Sequence, residues 1–202
     1  MSSVPQRTLT VREYLAREEL SPTKHEFYRG ELFAMAGGSL AHGIIATNIV
    51  TLLNQTLSAR GCRAYSGDHR IFIPGDELHT YPDASVVCGE PTMSDVDPYA
   101  ITNPLVLIEV LSPSTEHYDR GKKFDFYRKI ESFRDYVLVD QFEPRIECFS
   151  RSAAGLWKID SVEDLESAFS FPSLGCTVML GHVYRDVRFL PRNRFDAERS
   201  SD

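Results

Sequence analysis

Asp83 and Glu109 are the two residues whose surroundings ask for a chemical explanation. Glu109 interrupts "LVLIEVL", residues 105–111, a run rich in β-branched residues that suits a strand buried on both faces. A carboxylate in such a strand is costly unless it is paired, protonated or bound to a cation. Asp83 follows Pro82 and opens the short apolar run "ASVVC", and proline suits the first position of a strand. Alone, Asp83 reads as an ordinary turn aspartate. On neighbouring strands, Asp83 and Glu109 can share one divalent cation, and such hard oxygen donors suit Mg²⁺ or Mn²⁺ better than zinc.

Other side chains could join them. The stretch "EHYDRGKKFDFYRKI", residues 116–130, carries five basic residues against three acidic ones. Most of these charges read as a solvated helix face. Helical phase separates the two adjacent lysines: Lys123 shares a face with Tyr127 and Ile130, whereas Lys122 aligns with Phe126 and Lys129. Lys123 is therefore expected to point toward the sheet, and Lys122 to stay on the solvated face. His42 falls in the first turn of a long helix, in phase with Ile45, Ile49 and Leu53. Its phase suits a packed core histidine as well as one facing a cleft. Glu26 and Glu31 flank the Arg29-Gly30 turn, and either can serve as a third acid.

The elements that must position these residues are legible in outline. "TVREYLAREEL" predicts a short helix with Thr10 as N-cap and Pro22 beyond its end. "HEFY" and "ELFAMA" flank a turn. Leu40 to Arg60 predicts the strongest helix, capped by Ser39 and ended by Gly61. "CRAYS", "HRIFI" and "ASVVC" read as short strands, followed by the buried strand holding Glu109. Ser114 or Thr115 starts a helix running to about Glu131. "DYVLVD", "RIECF" and "LWKID" then return to strand. This order predicts an α/β (α+β) domain with a central mixed sheet flanked by helices.

The chain has 202 residues, room for one domain with a sizeable core. Residues 1–7 and 191–202 read as loose tails. With 29 acidic against 22 basic residues the net charge is −7, which argues against coating nucleic acid by general charge attraction. A local basic patch beside an acidic metal site stays open. Cys62, Cys88, Cys148 and Cys176 form no CxxC pair, so structural zinc is not expected. Free, mostly buried thiols are the expectation. The N-terminus lacks the apolar core of a signal peptide, and no run reaches the length of a membrane span. A cytoplasmic protein without a membrane partner is expected.

Taken together, "HEFYRGELFAMAGGSLAHGIIATNI", "YPDASVVC", "NPLVLIEVLSPST", "DRGKKFDFY" and "DYVLVDQ" resemble the Uma2 endonuclease family, formerly a domain of unknown function. The resemblance covers roughly residues 8 to 185. It implies the PD-(D/E)XK nuclease superfamily and a restriction-endonuclease-like fold. Pro82-Asp83 matches its "PD" element and Glu109 its second acid. The lysine usual two residues later is replaced by Leu111, and the family position that supplies it from the following helix is Lys123. Glu26 resembles the acid given by an N-terminal element, and His42 a recurrent family histidine. The implied activity is that of a Mg²⁺-dependent (or Mn²⁺-dependent) endodeoxyribonuclease. Asp83, Glu109 and Glu26 would hold the metal, Lys123 would act on the phosphate or water, and Tyr127 would assist. Nucleic acid, DNA in the first place, is the expected partner and a homodimer the expected assembly. The alternatives are a non-catalytic binding or assembly protein that keeps the fold, and a hydrolase of small phosphate esters.

Overall fold

Thr10 opens the first helix, α1 (Val11–Glu18), through a capping box: its hydroxyl accepts from Glu13 N and its own N–H donates to the Glu13 carboxylate. The computed structural model describes residues 8–35 and 37–192. The expected tails therefore lie outside the described residues, except Pro191 and Arg192. After α1, strands β1 (His25–Tyr28) and β2 (Glu31–Ala34) form a hairpin. Its two-residue turn puts both Arg29 and Gly30 at positive φ, 48° and 90°, the type I′ pattern that matches strand twist. A Cβ at Gly30 would meet the Thr8 Cβ at 2.5 Å, so only glycine fits there. Helix α2 (Leu40–Leu57) starts where the Ser39 hydroxyl accepts from His42 N.

Strands β3 (Cys62–Ser66), β4 (Arg70–Ile73), β5 (Leu78–Thr80), β6 (Ala84–Cys88) and β7 (Ala100–Ile101) precede β8 (Val106–Leu111). The segment expected as one helix to Glu131 is shorter and broken. It runs as α3 (Glu116–Tyr118), a π turn over Asp119–Lys123 and α4 (Phe124–Tyr127). Tight turns from Arg128 to Phe133 end it. Then come β9 (Asp135–Asp140), β10 (Ile146–Arg151), β11 (Trp157–Val162), the hairpin β12 (Ala168–Phe171) with β13 (Cys176–Met179), and α5 (Leu180–Val183).

The central sheet has six strands in the order β11-β10-β9-β8-β6-β3, with β8 and β9 parallel. It is mixed and flanked by helices, as expected. Alternation along β8 decides what lies on each face. Val106, Ile108 and Val110 pack with Ile45, Ile49, Leu53 and Leu57 of α2 and with the β12–β13 hairpin. Leu107 and Leu111 face the other way, toward Phe126, Tyr127, Phe133 and the second sheet. Glu109 shares their parity, so it points toward α4 and that sheet. The second sheet, β2-β1-β5-β4-β7, was not foreseen as a separate layer.

The cysteine expectation needs correction. Cys62 and Cys88 are bonded as a disulfide, while Cys148 and Cys176 are free and buried. Cys62 and Cys88 are direct cross-strand partners on β3 and β6. The loop between them contains two strands of the other sheet, so spacing along the chain hides their proximity.

A buried polar network ties α1 to the second sheet just before Pro82-Asp83. Tyr81 donates its hydroxyl to Glu18 Oε1 at 2.9 Å and accepts from Arg70 Nη1 at 2.9 Å. Arg70 grips fully buried Asp97 with two bonds, 2.6 and 2.9 Å, and His79 Nδ1 lies 3.2 Å from it. Burial alone would raise the Asp97 carboxyl. His79 and Arg70 overcome it and hold the pKa well below the usual carboxylate range. A depressed folded pKa means that this contribution is whole above the unfolded value of about 3.9 and is lost as pH falls below it. Asp97→Asn should therefore cost about 3 kcal/mol near neutral pH by stranding Arg70. In urea denaturation, its gap to wild type should narrow in acid. A gap that is the same at neutral and strongly acid pH would refute this account.

Candidate active site

Glu109 is 3% exposed in the middle of β8. Its Oε1 accepts from the Tyr127 hydroxyl at 2.8 Å and from Lys123 Nζ at 2.9 Å. Lys123 Nζ also lies 3.3 Å from Glu26 Oε1 and 3.5 Å from Asp119 Oδ1. One ammonium thus sits among three carboxylates, supplied by β8, β1 and the π turn. The Thr80 hydroxyl of β5 donates to the same Oε1 of Glu26.

Asp83 enters through strand pairing. Strands β6 and β8 pair antiparallel with Ala84 opposite Ile108, and Asp83, the residue just before β6, lines one cleft with Glu109. The Asp83 side chain caps the ladder there: Val110 N donates to Oδ2 at 2.7 Å. His42 Nε2 lies 3.2 Å from the same oxygen, so the first turn of α2 faces the site. Gly38 makes room for that imidazole, since a Cβ there would meet His42 Nδ1 at 2.7 Å. Glu31, the other acid of the hairpin, lies exposed at the turn end of β2. Of the two, Glu26 is the one brought in.

Four carboxylates, those of Glu26, Asp83, Glu109 and Asp119, line the cleft together with His42, Lys122 and Lys123. Burial pushes the Glu109 pKa well above the carboxylate range. Lys123 opposes the shift, and Asp119 and Asp83 add to it. For Lys123, burial works against the charge, but Glu109, Tyr127, Glu26 and Asp119 override it and hold the ammonium charged. Asp119 is raised by burial, despite Lys123. Burial would lower His42, but its hydrogen bond and charge interaction with Asp83 raise it.

These groups line the floor of a cleft of about 840 Å³, walled by Tyr28 and Phe33 of the hairpin, by Ser112 to Thr115 and by Tyr118. Tyr127 is fully buried and donates its hydroxyl to Glu109. Two contributors were missed in the sequence. Asp119 stands four residues before Lys123, the spacing of a shared helix face, and that signal was present. Thr80 had none, because the three-residue strand β5 shows no periodicity. Lys122 was expected on a solvated face. It is exposed, but it borders the cleft, with Nζ 4.9 Å from the Tyr28 ring centre.

The sequence model of the Uma2 family, described as "Putative restriction endonuclease", matches residues 11–179. The chain belongs to the Uma2 family. Two proteins of Synechocystis sp. (strain ATCC 27184 / PCC 6803 / Kazusa) are similar to this Uma2 chain. The "Uncharacterized protein sll1609" is 36% identical over 167 residues, covering 82% of this chain and 94% of that protein. The "Uncharacterized protein slr1290" is 34% identical over 187 residues, covering 93% and 97%. A solved structure from Anabaena variabilis ATCC 29413, described as "a putative nuclease belonging to DUF820", shares the fold with a TM-score of 0.69. It is 17% identical and covers 87% of this chain and 97% of its own. The expected fold class is thereby borne out.

Among the described residues of this Uma2 chain, no group of three or more His, Cys, Asp or Glu side chains is arranged to hold a metal ion. The donor chemistry nevertheless fits a hard cation held openly. Mg²⁺ is commonly bound by one or two carboxylates, with water and phosphate completing its shell. Asp83 and Glu109 line the same cleft, with Glu26 and Asp119 beside them, so two or more carboxylate oxygens face one open space. No helix of the described residues is long and apolar enough to cross a membrane.

Proposed function

We propose that this Uma2 chain is a metal-dependent endonuclease that hydrolyses phosphodiester bonds of nucleic acid, DNA in the first place. The observation that carries it is Lys123: a buried ammonium within 3.5 Å of Glu109, Glu26 and Asp119, at the floor of an open cleft beside Asp83. A structural ion pair needs one carboxylate, and a surplus of acids around one lysine is better explained by a second cation and a phosphate. Asp83 and Glu109, with Glu26 beside them, would hold Mg²⁺ or Mn²⁺, which when bound polarises a phosphate and lowers the pKa of water.

The chain's own groups then divide the remaining work. Lys123 stabilises charge on the phosphate or orients the attacking water. His42 and Val110 N fix the Asp83 carboxylate, and Tyr127 fixes that of Glu109. A cleavage assay on plasmid and on DNA and RNA oligonucleotides tests this. Cutting is expected with Mg²⁺ or Mn²⁺ and none with EDTA. Inert protein with every metal, or unchanged cutting in EDTA, would overturn it. Hydrolysis of bis(p-nitrophenyl) phosphate without cleavage of any nucleic acid would mark a small-ester hydrolase instead.

A further inference from the structure

We propose that the cleft takes an unpaired polynucleotide strand, with one base stacked on Phe33 and an adjoining phosphate on Lys122. This rests on the phosphodiester reading above and names its substrate class. The β1–β2 register sets Phe33 opposite Glu26, so the two side chains leave the same face of the hairpin as neighbours. Phe33 is 48% exposed, lines the cleft and belongs to neither core cluster. An aromatic ring that no core demands thus stands beside the acids.

Tyr28, two residues beyond Glu26 on β1, projects from that same face. It carries Lys122 on its ring at 4.9 Å and Arg29 at 5.3 Å. Lys122 also lies 5.7 Å from the Phe126 ring, and Lys129 5.3 Å. Among the described residues, Arg29 and Lys129 share the single carboxylate of Asp76, whereas Lys122 has no carboxylate partner. Of these cations Lys122 lines the cleft, set between the Tyr28 and Phe126 rings that line it too.

That pairing suits one kind of occupant. In a closed duplex the base faces are covered by their neighbours, so an exposed ring reaches one only by prising a base step apart, at a cost of a few kcal/mol. An unpaired strand offers a base face and a phosphate one bond system apart. Phe33 would meet the first and Lys122 the second, while the acids and Lys123 lie further in.

The full chain is titrated, in Ca²⁺ to satisfy the acids, into oligothymidine of about 12 nucleotides carrying a central 2-aminopurine. The same strand annealed to its complement and an oligouridine counterpart are titrated in parallel. Single strands should bind at least about tenfold more tightly than the duplex and quench the 2-aminopurine. Phe33→Ala should weaken single-strand binding about tenfold and abolish the quench, while Phe33→Trp keeps both. Lys122→Ala should lower the slope of log affinity against log salt by about 0.7. The tighter of the deoxy and ribo strands identifies the natural polymer. Equal or tighter duplex binding, or an unaltered quench in Phe33→Ala, overturns the inference and leaves the nuclease reading standing. So does a dimer that Phe33→Ala disperses in sedimentation velocity without strand preference. Binding of neither single strand nor duplex overturns both.

Discussion

Lys123→Ala should reduce phosphodiester cleavage at least about 10³-fold, a loss at the upper end of that for removing a charge-stabilising donor, and destabilise the metal-free protein by about 3 kcal/mol. Both effects have the same origin. Among the described residues, Lys123 is the one cation within 3.5 Å of Glu109, Glu26 and Asp119. Its removal leaves these nearly buried acids facing one another without a counter-charge. Added Mg²⁺ or Mn²⁺ should raise the melting temperature of the variant more than that of wild type, because it supplies the missing positive charge. It should not restore cleavage, because the ammonium acts on the phosphate. Cleavage at the wild-type rate, or a dead Lys122→Ala beside an active Lys123→Ala, would show that the wrong lysine has been assigned.

Glu109→Gln should behave in the opposite way on stability. Cleavage should again fall by about 10³-fold or more, and Mn²⁺ binding measured by calorimetry should be lost. The fold should stay within about 1 kcal/mol of wild type. The amide oxygen can still accept from Tyr127, and Lys123 keeps Glu26 and Asp119 as counter-charges. Removing one of several acids improves a balance that removing the only nearby ammonium destroys. Asp83→Asn combined with Glu109→Gln should be no slower than either alone, since groups that hold one cation act as a unit. Rate losses that multiply in the double variant, or Mn²⁺ bound normally by Glu109→Gln, would refute a shared site.

How far this was legible in the sequence depends on what kind of signal each residue left. Glu109 announced itself because a charge inside an apolar strand has few bland explanations. Lys123 was separable from Lys122 because a residue of helix turns a side chain by about 100°, and the π turn lies before Tyr127, so that phase survives. What phase cannot give is the landscape beyond the helix. Lys122 does point away from Lys123, yet it reaches the cleft rim because the β1–β2 hairpin comes up on that side. Asp83 and Glu109 were suspected of sharing a site, but their meeting in one cleft follows from strand pairing, which no local pattern encodes. Thr80, the second sheet and the Cys62–Cys88 bond were hidden for the same reason: each depends on which strands become neighbours.

The constellation around Lys123 draws on both sheets and on the helical segment between β8 and β9. A growing polypeptide therefore makes Glu26, Asp83 and Glu109 first and Lys123 afterwards. Until that ammonium arrives, the earlier acids are like charges with every reason to stay apart. Strands β9 to β11, half of the central sheet, are made later still, so every member of the constellation exists before the sheet that carries it can close. A chain interrupted before residue 123 thus carries acids without the ammonium that draws Glu26, Glu109 and Asp119 to one point.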